Sequence, residues 1–275
     1  MRNEHYCYDR LDSHSLCCLR AILINDNPAG NSPPKQWLFE VCVTSLEAAQ
    51  ASQRGGASRI ELCSDLAVGG VTPPDSLLAS VVRAISIPVH VLIRPRAGDF
   101  VYTQEEFALM RRQIETARAA GASGIAVGVL LDNARVDVAR CIELVELARP
   151  MKATFHRAFD ETPDLAEALE DVVRTGADCV LTSGGAPDVF AGAECLARLC
   201  RQAGSRIQVM AGGGIRLRNL SELVRQTGIV RLHGSLSGQS ETGQANKAPR
   251  EEDVRQAVRL LQSAFAELPE DREWN

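Results

Sequence analysis

The stretch Phe39–Ser64, FEVCVTSLEAAQASQRGGASRIELCS, holds the unit from which the rest of the chain is built. It opens on a run in which apolar Phe39, Val41 and Val43 alternate with Glu40 and Cys42, the period-two pattern of a strand with two different faces. An alanine-rich segment from Leu46 follows and stops at Gly55-Gly56, glycines that suit a helix C-terminus. The chain then returns to alternation in Arg59–Cys63, again with a carboxylate two residues before a thiol. Strand, helix and strand in one short stretch predict two parallel strands joined by a crossover helix.

The rhythm continues outward from this unit. Further strand-like runs are PVHVLIR (88–94), SGIAVGV (123–129), KATFH (152–156), DCVLTS (178–183), RIQVMA (206–211) and IVRLHG (229–234). Amphipathic helical stretches Gln104–Gly121, Val136–Arg149 and Asp164–Gly176 separate some of them, and Gly-Ala pairs at 56–57, 121–122 and 176–177 mark helix stops just before strands. Eight strand–helix units in a chain of this length predict a single-domain α/β fold, a (β/α)₈ TIM-type barrel over residues 37–268. A doubly wound open sheet is the alternative, and it lacks the G-x-G-x-x-G after the first strand that such folds use for dinucleotides. Residues 1–36 end in NDNPAGNSPPK and read as an N-terminal extension, either a disordered tail or a gene start placed too early.

Composition narrows the function. The chain has 275 residues, 45% hydrophobic and 24% charged, with a net charge of −5, which argues against a nucleic-acid partner. No apolar run reaches the roughly 18 residues of a membrane span, so no membrane partner is expected. Nine cysteines, an odd number and without a secretory signal at the first residues, predict reduced thiols in a cytoplasmic protein. No C-x-x-C or H-E-x-x-H is present, against a zinc ribbon or zincin.

Strand parity then sorts side chains. If the apolar set packs on the helices, the interior receives Leu38, Glu40 and Cys42; Arg59, Glu61 and Cys63; His90, Leu92, Arg94 and Arg96; Thr154 and His156; Gln208 and Met210; and Arg231 and His233. CVLTS is apolar on both faces and parity does not orient it. Barrel interiors are usually filled with Val, Ile and Leu, and active sites lie at the C-terminal strand ends. The polar set therefore reads as a pocket, with a buried ion-pair network of Glu40, Glu61, Arg94 and Arg231 as the structural alternative.

Several motifs give that pocket chemistry. IRPRAGDF (93–100) places Arg94 at a strand end, where its planar fork can take a carboxylate or phosphate or can neutralise Glu61. FHRAFD (155–160) places His156 at a strand end with Asp160 in the next loop, a proton-transfer pair if they touch. Gly212, Gly213 and Gly214 follow the seventh strand and Gly234 and Ser235 the eighth, where many barrels bind phosphate with backbone N–H groups; a tight turn without ligand is the alternative. Cys42 and Cys63 on adjacent strands could approach one soft metal ion, form a disulfide, or be ordinary buried thiols.

Together these segments resemble the CutC copper homeostasis family: EVCVTS (40–45), RIELCS (59–64), GGVTP (69–73), IRPRAGDF, TFHRAFD (154–160), VLTSG (180–184), AGGGI (211–215) and the strand ending in His233. The resemblance implies a (β/α)₈ barrel, a cytoplasmic copper-homeostasis role, and Cu(I) held by Cys42 and Cys63. It leaves open a second reading, an enzyme (lyase, isomerase or hydrolase) acting on a small phosphorylated or carboxylated metabolite. Glu40 or Glu61 would then be the acid/base, with Arg94, His156 and Asp160 beside it. The expected partners are a copper ion or that metabolite, and homo-oligomer formation stays open.

Overall fold

The computed structural model describes residues 37–236 and 248–268. The extension at 1–36 lies outside the described residues. Eight parallel strands close on themselves in chain order: β1 (Leu38–Val43), β2 (Arg59–Leu62), β3 (Val89–Leu92), β4 (Gly124–Val127), β5 (Lys152–Phe155), β6 (Cys179–Thr182), β7 (Gln208–Gly212) and β8 (Arg231–Gly234). The seam is β1 against β8, where Leu38 faces Arg231 and Glu40 faces His233. On the other side of β1, Glu40 faces Arg59 and Cys42 faces Glu61. The expected TIM-type barrel is the fold.

Eight helices surround the strands: α1 (Leu46–Gly55), α2 (Asp75–Ala84), α3 (Gln104–Ala120), α4 (Val138–Ala148), α5 (Leu165–Arg174), α6 (Ala193–Ala203), α7 (Leu220–Thr227) and α8 (Glu251–Ala266). Their ends follow local chemistry. Ser45 accepts the Ala48 N–H at the start of α1, and Thr103 and Glu106 form a reciprocal capping box at the start of α3. The helix stops read from Gly56 and Gly121 are left-handed caps, with φ of 94° and 88°.

Parity holds through the strands. Phe39, Val41, Val43, Ile60, Leu62, Val91, Phe155 and Val209 lie in the apolar layer between strands and helices. The β6 strand, which parity could not orient, turns Cys179 and Leu181 into the barrel with Leu38 and Met210, and Val180 outward. Arg96 is the exception. The β3 strand ends at Leu92, so Arg96 belongs to the following loop, where it is tied to Asp99 and Glu106 at the surface.

The α1 and α8 helices cross so closely that a Cβ on Gly55 would lie 2.5 Å from Val254 Cβ and 2.8 Å from the Glu251 carbonyl oxygen. Arg54 bridges the same crossing to Glu251 at 2.7 Å. In an exposed helix interior, Gly→Ala gains about 1 kcal/mol from propensity. Here we expect Gly55→Ala to lower stability by about 1–3 kcal/mol, because the added methyl pushes the two helices apart. Urea unfolding of the substituted chain measures the sign.

Candidate functional site

The β1 strand sets the centre of the interior. Glu40 is 1% exposed and holds both Arg59 of β2, through the guanidinium Nε, and His233 of β8, through Nδ1 at 2.7 Å. Burial raises the Glu40 carboxyl, but the charge of Arg59 and the His233 hydrogen bond more than reverse this and hold it well below the usual carboxylate range. Glu40 is therefore a charged clamp across three strands. It does not line the pocket above it.

Glu61 is one layer higher and behaves differently. Burial raises its carboxyl above the usual range, with help from the Glu40 charge, although His233 pulls the other way. Cys42 donates to its Oε1 at 3.7 Å, and the Cys42 and Cys63 sulfurs stand 3.4 Å apart. The hydrogen bond to Cys63, then burial, push the Cys42 thiol well above its ordinary value. Ligand atoms of Cys42, Glu61 and His233 all lie within 4.8 Å of one another. The structure thus brings the two predicted cysteines together and adds His233, which parity had pointed inward without assigning it a role. The same imidazole is raised by Glu61 and Glu40 against its burial.

Above this cluster, at the C-terminal strand ends, is a pocket of about 200 Å³. Cys42, Glu61, Arg94, His156 and His233 line it; Cys63, fully buried, does not. The expected ion pair between Arg94 and Glu61 does not form. Arg94 instead donates to the carbonyls of Val68, Gly70 and Gly98 and lies 4.9 Å above the Phe100 ring. Arg231 makes no ion pair among the described residues, so the buried network is Glu40, Arg59 and His233.

His156 and Asp160 do not form the expected pair either. Asp160 accepts from Arg157 Nε at 2.8 Å, from the Ser183 and Gly185 N–H groups, and from the Thr182 hydroxyl. It organises the loop after β6 and holds Arg157 against the pocket. His156 Nδ1 accepts the Ala158 N–H at 3.1 Å, which puts the proton of a neutral ring on Nε2, and Nε2 has no partner among the described residues. Burial, then the charge of Arg94, lower the His156 pKa to about 3, so the ring is neutral. A Cβ on Gly128 would lie 2.6 Å from the ring, and the bare glycine is what admits it. Gly124 does the same for His90, at 2.4 Å. Glycines inside a strand-like run are the signal that could have revealed both contacts.

The predicted glycines divide. Gly213, Gly214, Gly234 and Ser235 line the pocket, together with Arg157 and Arg216, which sequence reasoning did not single out. Gly212 lies below, where a Cβ would meet Leu181 Cδ1 at 2.5 Å, and its role is packing.

A (β/α)₈ barrel with a thiol–carboxylate–imidazole cluster beneath its C-terminal mouth defines the class. Residues 37–238 match the model of the CutC family, and the chain belongs to that family. A family protein CutC from Chromobacterium violaceum is 44% identical over 202 residues, 74% of this chain and 82% of that protein. The human copper homeostasis protein cutC homolog is 42% identical over 207 residues, 75% and 76% of the two chains. The crystal structure of the putative copper homeostasis protein CutC from Streptococcus agalactiae has a TM-score of 0.69 at 29% identity, covering 72% of this chain and 98% of that one.

A neutral buried imidazole makes a signed prediction. In the unfolded chain His156 takes up a proton below its ordinary pKa of about 6.5, whereas the folded ring resists to about 3. Wild-type stability therefore falls by up to about 1.4 kcal/mol per pH unit for this residue as pH drops through that window. His156→Asn removes the contribution. Its stability relative to wild type should improve by about that slope between pH 6 and pH 4 in denaturant titrations, and a pH-independent difference would contradict the neutral ring.

Proposed function

We propose that the protein is a cytoplasmic Cu(I)-binding protein of copper homeostasis, with Cys42 and Cys63 as the ligands. The observation that carries this reading is the thiol pair, two sulfurs 3.4 Å apart on adjacent strands and buried under the barrel mouth. Soft thiolates select Cu(I) over the harder divalent ions. Cys42 faces the pocket, which gives an incoming ion a path. Copper is cargo here, so a site with one thiol at the mouth and one behind it suits capture followed by release.

The fit can be tested against the donor set. Two sulfurs flanking a linear ion at metal–sulfur bonds of about 2.3 Å would stand about 4.6 Å apart. The closer pair found here favours a bent site with a further donor. Glu61 and His233 are within reach of Cys42 for that role. The raised Cys42 thiol favours its protonated form when no ion is bound, so binding through it must expel a proton and should strengthen as pH rises. The reading requires reduced thiols, which agrees with a cytoplasmic location. The human and mouse relatives are named for copper homeostasis.

Anaerobic Cu(I) titration of the reduced protein against a competing chelator tests the proposal. We expect tight binding that weakens more than about 100-fold in the Cys42→Ser/Cys63→Ser double variant, beyond the usual effect of outer-shell changes. Equal affinity in the two proteins would overturn the assignment.

A further inference from the structure

A metal site does not account for the chamber above it. At about 200 Å³ it holds far more than one ion, since a liquid water occupies about 30 Å³. Its walls carry an imbalance of charge. Arg94 is 6% exposed, yet its guanidinium meets carbonyls and the Phe100 ring but no carboxylate, and its Nε–H is unpartnered among the described residues. Arg216 lines the other wall and makes no ion pair among the described residues. Arg157 adds a third guanidinium, paired with Asp160 through its Nε. Glu61 is the one carboxylate among the lining residues, and it accepts from the Cys42 thiol and pairs with none of these arginines. A buried cation without a counter-ion costs several kcal/mol, and an anion supplied by a ligand offsets that cost.

The positions of these groups give the ligand a shape. In a closed eight-stranded barrel, β3 and β7 are on opposite sides. On the β7 side, Gly213 and Gly214 take φ of 114° and 74°, which bares their backbone beside Arg157 and Arg216. That is the place where barrels commonly seat phosphate. On the β3 and β5 side, the Arg94 Nε–H and the His156 Nε2–H both lack an acceptor among the described residues. A buried donor left without an acceptor costs about 1–3 kcal/mol. An oxygen of the ligand satisfies it.

We infer that the barrel mouth is a second site, which binds a short organic phosphate bearing a carboxylate or carbonyl oxygen at its other end. The phosphate is held between Gly213–Gly214, Arg157 and Arg216, and the far oxygen by His156 and Arg94. The inference does not depend on copper, and the Cu(I) titration of the wild-type chain reads the thiol site separately.

The test is calorimetric titration of the full chain with 3-phosphoglycerate, glycerol 3-phosphate and glycerate as probes. We expect 3-phosphoglycerate to bind at least about tenfold more tightly than glycerol 3-phosphate, which lacks the carboxylate, and glycerate not to saturate. Arg216→Gln should weaken both phosphates by about tenfold or more. His156→Asn keeps an acceptor for the Ala158 N–H but loses the deeper donor, so it should weaken 3-phosphoglycerate and leave glycerol 3-phosphate unchanged. Circular dichroism confirms that each variant is folded. No saturable binding of either phosphate up to about 10 mM, or unaltered affinity in folded Arg216→Gln protein, would overturn the inference.

Discussion

The carboxylate of Glu40 is the constraint on which the interior depends. It is buried and charged, and it bonds to Arg59 on one neighbouring strand and His233 on the other. One of those bonds crosses the seam at which β8 closes on β1. Removing one member of such a group leaves an uncompensated buried charge, which costs about 3–5 kcal/mol. The clamp also sets the layer above. With its own charge neutralised by Arg59, Glu40 leaves His233 oriented toward Glu61 and Cys42, and those three groups form the floor of the mouth.

The two glutamates show how one fold gives two acids different characters. Both point inward from adjacent strands, and both are almost wholly buried. Glu40 has a guanidinium in contact and stays ionised. Glu61 has a thiol, an imidazole and the Glu40 charge for company, and its neutral form gains. The difference follows from register: Glu40 faces Arg59 across the β1–β2 ladder, while Glu61 faces Cys42. The raised Glu61 carboxyl beside the raised Cys42 thiol favours proton-bearing groups at the floor, while the arginines above keep the opening positive.

Much of this was legible in the sequence, for a local reason. Alternation along a strand is fixed by the backbone, so Glu40, Cys42, Glu61, His156 and His233 could be placed inside from parity alone. Parity ends with the strand, and Arg96, beyond Leu92, went to the surface. The pairing of His156 with Asp160 was beyond such reasoning, because Asp160 is claimed by Thr182, Ser183 and Gly185 on a strand and loop over twenty residues away. The partners of Arg94 are backbone carbonyls, which carry no side-chain code and depend on how two loops fold. Arg216 follows the glycines that were recognised, but its place at the mouth depends on the turn before α7.

The fourth strand contributes the least side-chain chemistry to the barrel and constrains it in another way. Gly124 in β4 and Gly128 just after it are notches, one filled by the His90 ring from β3 and the other by the ring of His156, which directly follows β5. Any side chain at 128 evicts the imidazole at 156, and loss of that imidazole leaves a void at 128. The two positions therefore form an epistatic pair: the cost of a change at one depends on the residue at the other. The same holds for 124 with 90. A strand without polar side chains, with the glycine that follows it, thus fixes two histidines of the interior through the space it leaves empty.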